Sequence, residues 1–347
     1  MKKFNVGIVG YGWAAGAHIA AINAGSLGQV RWICSSRKLD AAELSARHGC
    51  RLETCTSLDA MLAEPDLHVL DVCSYHAQHA AQIIAGAKAG KHIIAEKPLT
   101  LSLPELRAIE GAVRAAGVSF CTCFELLFSS QFRETKALID RGWLGKLHYG
   151  EIDYYHGIGP WYREYEWVTT NRACGSSLLA AGCHALDALL LCLGGEVDEV
   201  FCCGTNSANA TFAAYEYPTS TVTVLKFKDG RVGKCASVID CFQPYYFHTH
   251  LVGSEGSLLD NQLQSNLQPG SERNRWTRLP FKLVDSGDVA DHPYQTQFDA
   301  FFEAIARGQA MPLTGLAEAV RTHEVIFAAE RSLKEKRPVK MDEVRAP

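Results

Sequence analysis

The chain's 347 residues, 47% hydrophobic and 21% charged, leave room for two domains with sizeable cores and show no low-complexity tract or repeat. A net charge of −4 at pH 7 with no basic block argues against a nucleic-acid surface. The 13 cysteines form no C-x-x-C pair, so no zinc knuckle and no metal are expected; a reducing cytoplasm with free, mostly buried thiols is.

In chain order, MKKFNVGIVG runs straight into a strand, leaving no room for the apolar core and cleavage site of a signal peptide. Apolar runs at 5–10, 30–35, 69–74, 92–96 and 118–124 read as strands. Helical patterns fall between them at about 13–25, 40–48, 57–63, 77–89 and 104–116. That alternation predicts a doubly wound parallel sheet. Beyond about residue 145 the rhythm changes. KLHYGEIDYYHG, EVDEVFCCGT, STVTVLKFKDG, RVGKCASVID and YYFHTHLVGSEGSLL read as successive strands, with Asp229 and Gly230 turning a hairpin. A helix at about 177–193 interrupts them, and 294–334 returns to helix with Phe298, Phe301, Phe302 and Ile305 at helical spacing. The fold class is therefore α/β. Residues 1–124 form a Rossmann-type dinucleotide domain; 125–347 form an α+β domain on an open, mostly antiparallel sheet. The apolar run Leu178–Leu193 falls short of the ~20 residues a membrane span needs, and Asp187 inside it would be costly. It reads as a buried helix, and no membrane is expected.

GIVGYGWAAGAHIAAI places Gly10 and Gly12 between the first strand and the first helix, with Ala15 at the third position of a G-x-G-x-x-[GA] fingerprint. Glycines there permit a tight turn and close approach of backbone to a pyrophosphate. The amides of Trp13 and Ala14 at the helix N-terminus would receive it. The second strand ends in Ser36, Arg37 and Lys38 where an acidic residue would bind a ribose hydroxyl. Hydroxyl and guanidinium suit a 2′-phosphate, which favours NADP over NAD; the plainer reading is a solvated basic start to the next helix.

KHIIAEKPL ends a strand with Glu96, Lys97 and Pro98. The residue before a proline is pushed out of the helical region, so Lys97 sits on extended backbone at the carboxyl end of a parallel strand, where open α/β sheets place ligands. Together, GIVGYGWAAGAHI, SYHAQHA, AGKHIIAEKPLTLS, DRGWLGKLHYGEI, CGSSLLAAGCHALDALL and VGSEGSL resemble, in order and spacing, the Gfo/Idh/MocA oxidoreductases, over essentially the whole chain.

That resemblance implies bound NAD(P) and reversible oxidation of sugar or polyol hydroxyls. It places Ser74, Tyr75 and His76 where relatives have Thr-Pro-Asn lining the nicotinamide, with His79 the family's histidine and Glu96 part of the cofactor site. His184 falls on the catalytic histidine of a D-x-G-x-H-x-x-D helix and Asp187 on its second acid, while Ala180 replaces the first acid. Lys97 is then the principal acid/base and His184 its partner, both touching substrate; Asp187 either orients His184 or ties down backbone. Glu125 and Leu127 stand where relatives often carry Asn and Arg. Losing that arginine argues against a carboxylate or phosphate on the substrate there. Among the aromatics of IDYYHGIGPWYREYEW, Tyr155, His156 and Trp161 are assigned with Glu125 to the carbohydrate, and Tyr154 to the core. Relatives associate through the sheet's exposed face, so a homodimer or homotetramer is expected. Two other readings stay open: redox-neutral glycoside cleavage with a retained dinucleotide, and a non-catalytic sensor.

Overall fold

In the computed structural model, which describes residues 3–163 and 165–345, six short strands form a parallel sheet: β1 (Phe4–Val9), β2 (Gly28–Cys34), β3 (Glu53–Cys55), β4 (Val69–Val72), β5 (His92–Ala95) and β6 (Phe120–Thr122). Their order is β3-β2-β1-β4-β5-β6, all pairs parallel. This is the doubly wound arrangement, with helices in every crossover and its reversal between β1 and β4. In this sheet and its crossovers, sequence and structure agree on every element but one. Glu53–Cys55 was not read as a strand, because three half-buried residues at a sheet edge carry no apolar run. Val69–Val72 is buried completely, and the strands on either side of it are buried beyond their first residue, as strands covered on both faces must be.

This first unit comprises Met1–Glu125 together with Asp288–Val320. The expected helix over 294–334 is in fact two, Tyr294–Ala306 and Leu316–Glu335. The first stops before Gly308, whose φ is 64°, and Pro312 keeps the connection from rewinding. The connection also completes the parallel sheet, because the Thr314 carbonyl accepts the Thr122 N–H at 2.9 Å and so satisfies the edge strand β6. Phe298, Phe301 and Phe302 are fully buried, each contributing roughly 1.5–3 kcal/mol by transfer from water. Phe302 stacks on Phe4 at 5.9 Å and fills the space a side chain at Gly28 would need.

The second unit comprises Leu126–Gly287 and Arg321–Pro347. Its strands are β7 (Leu147–Tyr155), β8 (Val197–Thr205), β9 (Ser220–Phe227), β10 (Val232–Val238), β11 (Tyr246–Gly253), β12 (Gly256–Leu259), β13 (Gln262–Ser265), β14 (Thr277–Arg278) and β15 (Val339–Lys340). They line up as β14-β13-β12-β11-β7-β10-β9-β8-β15, with β7 and β10 the one parallel pair among the described residues. The run 245–259, read as one strand, is two, turned at Ser254 and Glu255. β9 alternates buried and exposed residues along its length, as a strand with one covered face does. The covering element is the helix Cys183–Leu193. Gly150 and Gly233 let it sit close: a β-carbon on either would meet Leu189 and Leu193 at 3.0–3.2 Å. The apolar stretch Asn171–Leu193 is 89% buried in its most apolar window, as a core helix is.

Candidate active site

The loop after β1 needs glycine. Gly10 has φ 95°, and a β-carbon there would lie 2.5 Å from the Cys73 carbonyl oxygen, so the loops after β1 and β4 meet with no room for a side chain. Gly12 is the opposite case: a β-carbon would meet nothing within 4 Å. Gly12 caps the helix Trp13–Ala24 without a side-chain hydrogen bond, and no acidic residue lies in the first turn. Backbone amides at the end of a twelve-residue helix, open space beside them and no competing carboxylate make a cradle for a pyrophosphate. The chain fits the dinucleotide its fold implies.

At the end of β2, Ser36, Arg37 and Lys38 are exposed, and Arg37 donates to the Tyr11 carbonyl, next to the glycine loop. The nearest acid, Asp40, caps the following helix by accepting the Ala42 and Glu43 amides at 2.8 and 2.9 Å. Tyr75 caps the helix His76–Lys88 from outside it and is 61% exposed. His79 is fully buried, with Nδ1 2.8 Å from the Pro98 carbonyl and Nε2 2.9 Å from the Ser74 carbonyl. It fastens the loop after β4 to the loop after β5. Burial lowers its pKa, outweighing those carbonyls. Burial, His79 and the Lys97 charge likewise hold His76 well below the histidine range.

Lys97 follows β5 with a cis bond to Pro98, and its backbone N–H donates to Glu96 Oε2 at 3.1 Å. Beneath it lies a group that sequence reasoning missed. His18 is fully buried, its Nδ1 2.9 Å from Asp71 and its Nε2 3.0 Å from Glu96 Oε1; the Tyr294 hydroxyl donates to that same oxygen at 2.8 Å. Burial would strip the proton from His18, but Asp71, with Cys73 and Cys123, prevails and raises its pKa well above the ordinary value. For Glu96 burial again opposes the charge, yet His18, Lys97 and Tyr294 bring the carboxyl down to about 2. The signal in the sequence was an acid inside the apolar strand VLDV and an imidazole inside the apolar helix after the glycine loop. Neither charge is tolerable buried without a partner. Glu125 is 1% exposed, with Oε1 2.7 Å from His292 Nδ1. The sequence assigned Glu125 to substrate; the structure closes one of its oxygens into this pair.

In the second unit a π-helical turn, Leu178–Gly182, leads into the helix Cys183–Leu193, and Ala180 lies in that turn. A β-carbon on Gly182 would strike Ser237 of β10 at 2.4 Å, so the widened turn presses on the sheet. Such turns recur at functional sites. His184 is 4% exposed and lies face to face with Tyr154 at 6.2 Å. Asp187 is 2% exposed and accepts from the Thr322 hydroxyl at 2.5 Å, tying two helices of this unit. Tyr154 also contacts His156, with its hydroxyl 3.2 Å from Nδ1, and packs edge-on to Tyr245. Thus His184, Tyr154 and His156 share one side of β7. Tyr155 points to the other side, stacked on Tyr246 at 5.9 Å. Trp161 is 60% exposed and groups with Phe212 and Phe242.

Two family models match. The oxidoreductase family with an NAD-binding Rossmann fold covers residues 4–123, and the GFO/IDH/MocA C-terminal domain covers 132–259. The chain is 27% identical over 286 residues to myo-inositol 2-dehydrogenase of Thermotoga maritima, covering 82% of this chain and 83% of that protein. It is 26% identical over 327 residues to levoglucosan dehydrogenase of Pseudarthrobacter phenanthrenivorans, covering 85% and 82%. A crystal structure of levoglucosan dehydrogenase with NADH and L-sorbose superposes with a TM-score of 0.82 at 22% identity, covering 98% of this chain and 99% of that one. With 248 of its 347 residues inside the two matches (120 plus 128), the chain belongs to the Gfo/Idh/MocA family of oxidoreductases.

Proposed function

We propose that the chain is an NAD(P)-dependent dehydrogenase or reductase acting on a CH–OH carbon of a sugar, glycoside or polyol. The relatives named for myo-inositol and levoglucosan support that substrate class. The observation that carries the reading is the pairing, at the carboxyl ends of β1 and β5, of a glycine cradle with Lys97, its backbone fixed by a buried carboxylate.

When bound, the dinucleotide supplies the hydride acceptor in oxidation and the hydride donor in reduction. The amides after Gly10 and Gly12, at Trp13 and Ala14, would hold the pyrophosphate. Ser36, Arg37 and Lys38 would take a 2′-phosphate, which favours NADP. A carbinol carbon losing a hydride leaves a protonated carbonyl unless a base takes the hydroxyl proton. Lys97 is proposed as that base in oxidation, and as the acid that returns the proton in reduction. His184 is the second proton-handling group, oriented by its stack on Tyr154 and by the anchoring of its helix through Asp187. His156, beside Tyr154, is the leading candidate for a substrate hydroxyl. In solution two or four copies of the chain associate.

The test is an assay of purified protein with each dinucleotide against a panel of sugars, polyols and glycosides. The reading expects a change in nicotinamide absorbance with at least one compound. No change across the panel in either direction would contradict it.

A further inference from the structure

The sheet face of the second unit that points away from the helix Cys183–Leu193 carries a constellation that hydride transfer does not use. On β11, His248 and His250 alternate with the buried Thr249, so both imidazoles leave the same face. Directly across the ladder, Glu151 of β7 pairs in register with His250. One ligand atom from each of Glu151, His248 and His250 lies within 4.8 Å of the others, and all three residues are half-buried.

The geometry points to a binding site for a divalent transition-metal ion, of zinc-like character, held by His248, His250 and Glu151. Two imidazoles, which are borderline donors, and one carboxylate make a ligand set that such an ion takes, and a water would complete four-coordination. The surroundings support it. The Tyr246 hydroxyl sits 2.8 Å from His248 Nδ1, and Asp260 lies 3.5 Å from the same nitrogen, so His248 would ligate through Nε2. Asp260 is itself fixed, accepting from the Thr249 amide at 3.0 Å and from Tyr246 at 2.7 Å. A carboxylate behind a ligating imidazole fixes its orientation and raises its donor strength. Two groups hold Glu151 against the ion: the Tyr149 hydroxyl donates to its Oε2 at 2.9 Å, and the Lys234 ammonium lies 2.5 Å from its Oε1 and 2.7 Å from Asp153. The lysine keeps Asp153 as its partner when Glu151 turns to the metal.

The experiment strips the full-length protein with chelator and measures uptake of Zn²⁺ by equilibrium dialysis and of Co²⁺ by visible absorption. One ion per chain is expected, with a cobalt spectrum lacking the charge-transfer band of thiolate ligands, since Cys203 is exposed and could compete. H248N and H250N should each weaken uptake at least tenfold, on the order of what a lost ligand or its support costs. K234M should tighten uptake, a gain that no damage to the fold would produce. Absence of stoichiometric uptake by the wild type, uptake unchanged in both histidine variants, a thiolate band, or no gain in K234M would each overturn the site.

Discussion

Asp71, His18 and Glu96 place two carboxylates and an imidazole out of water beneath Lys97, and they are tolerable only together. H18N keeps most of the volume but removes the cation, so an expected loss of about 3–5 kcal/mol follows, read from the urea midpoint. The pH dependence has two limbs. His18 holds its proton more tightly folded than unfolded, so its contribution is complete below the ordinary histidine range and fades as pH rises through the elevated folded value. Glu96, held down to about 2, contributes above the ordinary carboxylate range and fades as pH falls from there toward about 2. H18N should abolish the alkaline limb, which midpoints measured across the pH range will show. Gly10 is the other decisive position. G10A forces a β-carbon into the Cys73 carbonyl at positive φ, which should cost about 1–3 kcal/mol and weaken dinucleotide binding severely in a fluorescence titration.

Among the elements, the strands and helices of the parallel sheet were legible because each combines an apolar period with a turn residue at its end. The glycine loop was legible because its context, strand then helix, was too. What escaped lacks a local pattern: the three residues of β3 at an edge, and the π-helical turn, which packs against β10 and leaves no mark in composition. The segment between β2 and its helix carries a prediction about the dinucleotide. If Ser36, Arg37 and Lys38 grip a 2′-phosphate, R37A should weaken NADP by about 1.5–3 kcal/mol, the worth of a charged hydrogen bond, and leave NAD nearly unchanged in parallel titrations. The helix Leu316–Glu335 carries another. Burial lifts the Glu330 carboxyl to about 7, with Ser176 opposing weakly. A carboxyl raised this way penalises the folded state once pH exceeds its unfolded value. E330Q should therefore raise stability by about 3 kcal/mol near pH 8 and change it little near pH 4, as thermal melts at the two pH values will report.

For the molecule as a whole, chain order hides part of the site. Tyr294 reaches Glu96 across a separation of 198 residues, and His292 reaches Glu125 across 167, because Asp288–Val320 belongs with the first unit. No periodicity in a sequence announces a return of that length, whereas the places of Lys97 just past β5 and of His184 in the helix Cys183–Leu193 follow from short words with a fixed structural context. The same logic separates Tyr155 from Tyr154: strand alternation says that they part, and the structure gives His184 to Tyr154. In the proposed reaction, the Lys97 amine moves the substrate proton. The most direct test is a comparison of K97M with wild type, following hydride transfer by nicotinamide absorbance and dinucleotide affinity by titration in the same preparation. Hydride transfer should vanish while affinity stays within a few-fold, since the cradle at Gly10 and Gly12 is untouched. Near-normal turnover in K97M would contradict the account.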